Sequence, residues 1–371
     1  MIENQKKLLQ IEKLCFDQKK PLVVSELGTS HNGDITKAKE MIAAAAEAGA
    51  DCAKFQMVYA DEILHPNTGE VTLPGGRIRL YDRFKALETP VEFYAEIKEY
   101  AESMGLLFLC TPFGLKSASL LHKIQLKMVK IASPELNFTS LLEKIASWKI
   151  PVLLSSGVSR LSDIEKAIDI LENSQLCLLH CVTAYPAPET DYNLRVLPNL
   201  SAIFGVPVGV SDHSADPELV PALAVSMGAA VIEKHFCLSR DDPGLDDPIA
   251  LPPKEFSQMV RAIRHAAETG PEETLAAYRR EYGDSLIEKI LGNGIKKLAP
   301  SEKANYRYTN RSIHALRDIQ KGEILKRGDY AVLRTEKNLR PGLDPCMEKA
   351  LEGRIAKEFI PAGEGIRFED I

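Results

Sequence analysis

The chain has no apolar run long enough to cross a bilayer. The nearest, Leu219–Ile232, is broken by Pro221 and Gly228, and a span needs about 20 apolar residues. Blocks of like charge are missing too. The formal net charge is -6 over 371 residues, with both signs interleaved, so charge offers no nucleic-acid surface. No C-x-x-C pair occurs, and the seven cysteines are odd in number and scattered. That argues against a disulfide framework and for reduced, buried thiols, as in the cytoplasm. The N-terminal MIENQKKLLQIEKL lacks the apolar centre of a signal peptide. No G-x-G-x-x-G follows the first strand-like run, which counts against a dinucleotide-binding, doubly wound sheet. The expectation is a cytoplasmic protein with no membrane or nucleic-acid partner.

What is present is a rhythm. Residues 1–20 read as an amphipathic N-terminal extension with Leu8, Ile11 and Leu14 on one side. From Pro21 short apolar runs alternate with polar loops and helix-like stretches. The candidate strands are Leu22–Glu26, Cys52–Gln56, Leu106–Cys110, Met128–Ile131, Val152–Ser155, Cys177–His180, Pro207–Ser211 and Val231–Glu233. Helical spacing puts Val91, Tyr94, Ile97 and Ala101 on one face, and likewise Leu161, Ile164, Ile168 and Leu171. Eight strand–helix units are what a (β/α)8 TIM barrel requires, with its site at the C-terminal strand ends. The barrel is expected over residues 21–270, a charged linker over 271–305, and a small β-rich domain over 306–371. That last region holds a near-repeat, DIQKGEIL and FIPAGEGI. The long stretch 58–89 between the second and third strands reads as a lid or binding loop.

The strand ends are polar. Val206–Val210 and Ala230–Ile232 lead into Ser211-Asp212-His213 and Glu233-Lys234-His235. A lone buried histidine is usually structural, but two at matching ends of adjacent parallel strands suit a metal ion. Lys54 and Lys130 sit within or at the end of apolar strands. Either alone could reach to the rim. Together with Thr111, Ser133, Ser155 and Ser211 at equivalent depth they form a ring suited to phosphate or carboxylate. A Schiff-base lysine is the competing role. Glu26, Glu135 and Glu233 are open to metal ligation, proton transfer or hydroxyl binding, or any one to an ion pair with a neighbouring lysine, and Asp246 and Asp247 are equally placed after a Pro-Gly turn. Cys177 and His180 fall on opposite faces of their strand, so no metal is expected there.

The motifs SELGTSHNGD, ADCAKFQ, FLCTPF, VKIASPELN, LLSSGVS, LLHCVTAYPAP, GVSDHS, EKHF and DDPGLDD, in this order, resemble the sialic acid (N-acetylneuraminate, nonulosonate) synthase family. The tail, with RSI-x5-DI-x-KGE, LRPG and a final Ala-Gly-Glu turn, resembles its SAF (antifreeze-like, β-clip) domain. The resemblance implies condensation of phosphoenolpyruvate with an N-acetylhexosamine such as N-acetylmannosamine, by carbon–oxygen cleavage with loss of phosphate. It implies a divalent metal on His213 and His235, Mn2+ first and Mg2+ or Co2+ as substitutes. Phosphoenolpyruvate falls to Lys54, Thr111, Lys130, Ser133, Ser155, Thr183 and Ser211. The sugar falls to Glu26, Gln56, Glu135, Tyr185 and Asp246, with Arg340 reaching across a domain-swapped homodimer. Glu135, the two histidines and the two lysines are the catalytic candidates.

The chain departs from the family at Ser30, before His31-Asn32-Gly33, at Thr183, and at Leu343-Asp344-Pro345 after Arg340-Pro341-Gly342. These changes fall around the sugar and leave the acceptor open among N-acetylmannosamine, its 6-phosphate and a 2,4-diacetamido-trideoxyhexose. The rivals are a Schiff-base barrel aldolase and a non-catalytic glycan-binding relic.

Overall fold

The computed structural model describes residues 8–73 and 76–371. Its strands in chain order are β1 (Leu9–Ile11), β2 (Leu14–Phe16), β3 (Leu22–Gly28), β4 (Cys52–Met57), β5 (Glu70–Leu73), β6 (Gly76–Arg79) and β7 (Leu107–Pro112). They continue with β8 (Val129–Ile131), β9 (Val152–Ser155), β10 (Leu176–Cys181), β11 (Val208–Asp212), β12 (Val231–His235), β13 (Ser312–Ala315) and β14 (Tyr330–Leu333). Eight of them form one parallel sheet in the order β7-β4-β3-β12-β11-β10-β9-β8. Its two end strands, β7 and β8, pack side by side, so the sheet curls into a nearly closed barrel. Helices join the strands, as a parallel sheet demands. Val91–Ser103 buries Phe93, Tyr94, Ile97 and Ala101, and Leu161–Ile170 buries Ile164 and Ala167.

Side chains alternate across each strand, and the inward positions change character with height. Leu22, Val24, Cys52, Leu107, Leu109, Met128, Leu153, Cys177, Leu179 and Val231 form a separate apolar cluster inside the barrel. One inward step further along each strand come Glu26, Lys54, Thr111, Lys130, Ser155, Cys181, Ser211 and Glu233, all buried. The strand register ties the upper layer together, pairing Glu26 with Lys54, Cys181 with Ser211 and Ser211 with Glu233.

The N-terminal extension differs from the amphipathic reading. Its described part, from residue 8, forms a hairpin, β1 against β2, in register Leu9↔Phe16, and residues 1–7 lie outside the described residues. Period two replaces the helical spacing, so Leu9, Ile11 and Phe16 are buried with the lower barrel layer while Leu8 and Leu14 are exposed.

Residues 271–305 hold two helices, Pro271–Tyr282 and Asp284–Leu291. The first packs on the helix Leu219–Ser226, and the second buries Ile287, Ile290 and Leu291. Beyond them β13 and β14 pair antiparallel, and the near-repeats meet through the Ile319↔Ile360 bridge, while Ile324 of the first bridges Ile355 just before the second. The glycines of their Gly-Glu turns, Gly322 and Gly363, both have positive φ, at 87° and 92°, where a Cβ would strain the backbone.

The small domain rests on its own chain's barrel. Arg334 N donates to the Ile63 carbonyl at 2.9 Å, and Asn338 Nδ2 to Thr68 and Glu70 carbonyls, both at 2.7 Å. The 58–89 stretch is thus held from above. Among the described residues no helix is long and apolar enough to cross a membrane.

The hairpin should matter to stability rather than to the strand ends. Ile11→Ala removes a fully buried side chain and should cost about 2–5 kcal/mol in denaturant unfolding. Binding of a small anion at the opposite end of the barrel should be unchanged, as calorimetry would read.

Candidate active site

At the C-terminal strand ends lies a cleft of about 1190 Å3. Its floor is the polar inward layer. Glu233 accepts from Lys130 Nζ at 3.0 Å and Ser211 Oγ at 2.9 Å, and Lys54 Nζ lies 3.4 Å away. Lys54 also pairs with Glu26, whose other oxygen accepts from Gln56 Nε2 at 2.8 Å. Two ammoniums and two carboxylates therefore share one buried floor.

The electrostatics follow from this packing. Burial opposes charge on Glu233, but Lys130 and Lys54 outweigh it and hold its carboxyl down at about 2. Burial pulls Lys54 down to about 8, with Glu233 opposing and Lys130 adding to the fall. Around them the hydroxyls of Thr111, Ser155 and Thr183 and Glu233 Oε2 are buried with no hydrogen-bond partner. Buried polar groups are nearly always paired, so those of these atoms that belong to cleft-lining residues, on Ser155, Thr183 and Glu233, mark room for a polar guest.

One glycine permits the arrangement. A Cβ on Gly157 would fall 2.2 Å from Thr183 Oγ1 and 2.9 Å from Ser133 Oγ. Gly157 N instead donates to Ser133 Oγ at 2.9 Å.

Next to the floor stand the two histidines. The His213 and His235 ring centroids are 5.4 Å apart, and Tyr185 stacks on His213 at 4.3 Å. His213 Nδ1 lies 3.0 Å from the Val182 carbonyl. A carbonyl only accepts, so Nδ1 carries a proton and turns Nε2 toward the cleft as the nitrogen that would meet a metal when the ring is neutral, the orientation second-shell contacts give to metal ligands. Burial, then His213 and Lys54, hold His235 well below its ordinary value, which keeps it neutral. Asp246 Oδ2 lies 3.8 Å from His235 Nδ1. These donors fit a divalent cation that draws its other ligands from substrate or water oxygens. Among the described residues no cluster of three or more His, Cys, Asp and Glu could hold one unaided.

Glu26, Lys54, Gln56, Lys130, Ser133, Ser155, Thr183, Tyr185, Ser211, His213, His235 and Asp246 line the cleft together. Asp247 does not. It is buried, taking Ser30 Oγ and Gly244 N, so the geometry separates two aspartates that the sequence leaves equivalent. Three candidates stand elsewhere. Thr111 is buried on β7 outside the cleft lining. Glu135 is fully buried behind Arg311 at 2.8 Å and Arg334 at 2.6 Å, and of these Arg334 lines the cleft. Arg340 is tied to Asp370 at 2.6 Å and to the Gly365 carbonyl at 2.9 Å within its own small domain. It is no part of its own chain's cleft. Cys177 and His180 do part company, the first in the lower apolar layer and the second on the Tyr192 carbonyl at 2.6 Å. His31 packs against Phe93 and Phe55.

Sequence reasoning missed three residues. Arg334 and Arg311 clamp Glu135 from the tail. Buried Glu302 accepts from Val158 N at 2.9 Å and Thr183 N at 3.0 Å, and so positions the Thr183 loop. Only the RSI motif, which contains Arg311, carried a local signal.

A lysine loses its charge as pH rises through its pKa. Sulfate keeps its own charge in this range, so its affinity should fall as pH rises past about 8. The slope should approach about tenfold per pH unit if one ammonium is required. Lys54→Arg should abolish that dependence, because a guanidinium stays charged. Calorimetric titration across the range checks both.

The sequence matches the NeuB family over residues 41–273 and the SAF domain over residues 310–371. It is 33% identical over 359 residues to the N,N'-diacetyllegionaminic acid synthase of Campylobacter jejuni, covering 94% of this chain and 99% of that one. It is 31% identical over 309 residues to the human N-acetylneuraminate-9-phosphate synthase, covering 82% of this chain and 80% of that one. The crystal structure of the Bacillus subtilis spore coat polysaccharide biosynthesis protein SpsE superposes with a TM-score of 0.81 at 33% identity. It covers 98% of this chain and 99% of that one.

Proposed function

The chain belongs to the NeuB family, an enzyme family, and from that premise we propose that it condenses phosphoenolpyruvate with an N-acetylmannosamine-like aldose. The products are a sialic-acid-type nonulosonic acid for a surface glycan and inorganic phosphate. The relatives include synthases of legionaminic, pseudaminic and N-acetylneuraminic-9-phosphate acids. One observation carries the reading for this chain. Unpartnered buried hydroxyls and two ammoniums share a floor beside two imidazoles.

In the proposed reaction C3 of phosphoenolpyruvate bonds to the aldehyde carbon, whose oxygen takes a proton. Water adds to C2 and gives up one proton, and as the C2–O bond to phosphate breaks the new hydroxyl gives up its second proton to the departing phosphate, leaving C2 a ketone. Lys54, Lys130, Ser133, Ser155, Thr183 and Ser211 hold the phosphate and carboxylate and stabilise the departing charge. Thr111, buried beside Gln56 in the strand register, would support the same group. Glu26, Gln56, Tyr185 and Asp246 orient the open-chain sugar, because the two carbons must be held in line. Glu135 acts through Arg334, the charged group it fixes at the cleft. His213 and His235 would hold a divalent cation, Mn2+ in this proposal with Mg2+ or Co2+ as substitutes, which supplies Lewis-acid polarisation of the aldehyde oxygen. The proposed setting is the cytoplasm.

Phosphate release with phosphoenolpyruvate and an N-acetylated aldose is the direct assay, and silence with every acceptor would end the reading. His213→Ala should abolish turnover and lower bound metal, and an active, metal-replete variant would refute that role. Lys54 at about 8 is also suited to a Schiff base. Borohydride trapping at Lys54 together with indifference to chelator would favour the aldolase instead.

The resemblance further supports a homodimer with exchanged tails, in which Arg340 leaves Asp370 and reaches the partner's sugar. Mixing inactive Arg340→Ala and His213→Ala chains should then restore part of the activity through mixed dimers. No recovery after subunit exchange would reject the cross-subunit contact.

A further inference from the structure

Two loops carry the unpartnered hydroxyls of the cleft floor. Ser155 ends β9 and leads into Ser156-Gly157-Val158, and Thr183 lies just beyond β10. The first loop is strained. Val158 is fully buried with φ at 42°, a left-handed backbone that a β-branched residue keeps only where its surroundings impose it.

What imposes it is the stretch 296–310, between the helix Asp284–Leu291 and β13. Lys296 Nζ donates to the Ser156 carbonyl at 3.0 Å, and Asn310 Nδ2 to the Val158 carbonyl at 3.1 Å. Asn305 Nδ2 donates to the Thr183 carbonyl at 2.9 Å. Glu302 completes the frame. One of its oxygens accepts from Val158 N at 2.9 Å and from Thr183 N at 3.0 Å, and the other from Ala299 N at 3.0 Å. Val158 and Thr183 thus have both the N–H and the carbonyl held by this one stretch. Asn305 and Thr309 line the cleft, whereas Glu302 is buried behind it. By charge alone a carboxylate near an anion pocket repels the anion. Its place there makes sense through the two N–H groups it aligns.

We infer that Glu302 is a positioning residue for the bound anion. It fixes the Ser155–Val158 loop and the Thr183 loop in one frame, so that the free hydroxyls of Ser155 and Thr183 converge with the ammoniums of the floor. The inference rests on the synthase reading for the identity of the anion, phosphoenolpyruvate. Its main test needs no turnover.

Calorimetry compares sulfate affinity in Glu302→Ala, Glu302→Gln and Asn305→Ala. Both changes at 302 remove the same charge, but Gln keeps one acceptor oxygen for the loop N–H groups. Glu302→Ala should weaken sulfate about tenfold, and Glu302→Gln should recover most of that loss. Asn305→Ala removes one bond from a half-buried side chain and should weaken sulfate about threefold. Tighter binding in both 302 variants would show an effect of charge and overturn the inference. Unchanged affinity with a lower melting temperature would show a purely structural role and overturn it too. If Glu302→Ala does not fold, Asn305→Ala and Glu302→Gln decide, and unchanged affinity in Asn305→Ala overturns it. Failure of the unaltered chain to bind sulfate would also overturn it. In turnover, Glu302→Ala should raise the KM for phosphoenolpyruvate and leave the acceptor's KM unchanged, and an equal rise in both would count against it. The synthase reading falls separately, on the absence of phosphate release from the unaltered chain.

Discussion

The structure depends on a buried quartet of charge, Glu26, Lys54, Glu233 and Lys130, set inside a barrel where water is scarce. Removing each ion from water costs several kcal/mol, and each close pair returns about 4 kcal/mol at the effective dielectric of a protein. The terms are of similar size, so the quartet adds little net stability. Its value is that opposite charges are set in contact in place. Glu233 is held at about 2 by two ammoniums, so the floor keeps its charge pattern at neutral pH. An arriving anion meets ammoniums already oriented, with unpaired hydroxyls of Ser155 and Thr183 beside them. Little reorganisation is left for the moment of reaction.

The rest of the barrel keeps that floor in register. Two inward apolar levels lie below it, and the Leu9–Phe16 hairpin seals the lower mouth. Strand register then sets the floor's neighbours, with Glu26 beside Lys54 and Ser211 beside Glu233. A slip of one residue would turn every inward side chain outward. Lys234 shows the other face of that rule. It lies between Glu233 and His235, points away from the cleft, and pairs with Asp212 at 2.5 Å behind the sheet. Of three lysines in barrel strands, Lys54 and Lys130 thus join the floor and Lys234 does not, a difference set by parity.

That parity explains how much was legible beforehand. The strands were readable because a parallel barrel strand is a short apolar run with a polar end, and inward partners follow from alternation. Lys54, Lys130 and the two histidines were therefore visible as one group. Residues 1–20 were misleading because Leu8, Ile11 and Leu14 mimic helical spacing, while the burial is that of a hairpin. Asp246 and Asp247 could not be told apart, since what separates them is Ser30, 217 positions away along the chain. Glu302 and Arg334 were invisible for the same reason. Glu302 finds Val158 144 residues off, and Arg334 finds Glu135 199 residues off. A local pattern carries no trace of such a partner. The long stretch 58–89 could be flagged as functional by length, but which of its residues meet the cleft depends on the hairpin and helix it forms.

Those distant contacts make the tail part of the site. Arg311 is fully buried and donates to Glu135 at 3.0 Å, to the Phe113 carbonyl at 2.6 Å and to the Val332 carbonyl at 3.3 Å. Burial lowers it to about 10, with Glu135 opposing, so it stays charged at neutral pH. A buried guanidinium joined to a buried carboxylate is costly to separate, which fixes β13 against the loop after β7. Arg334 shares the same carboxylate and adds a cation over the Phe113 ring at 5.4 Å. Glu135 thereby does two jobs at once, docking the tail and setting the one tail arginine that faces the cleft. Floor and roof are built from different ends of the chain. A ligand in the cleft lies between the two, so it meets strand residues below and loop and tail residues above.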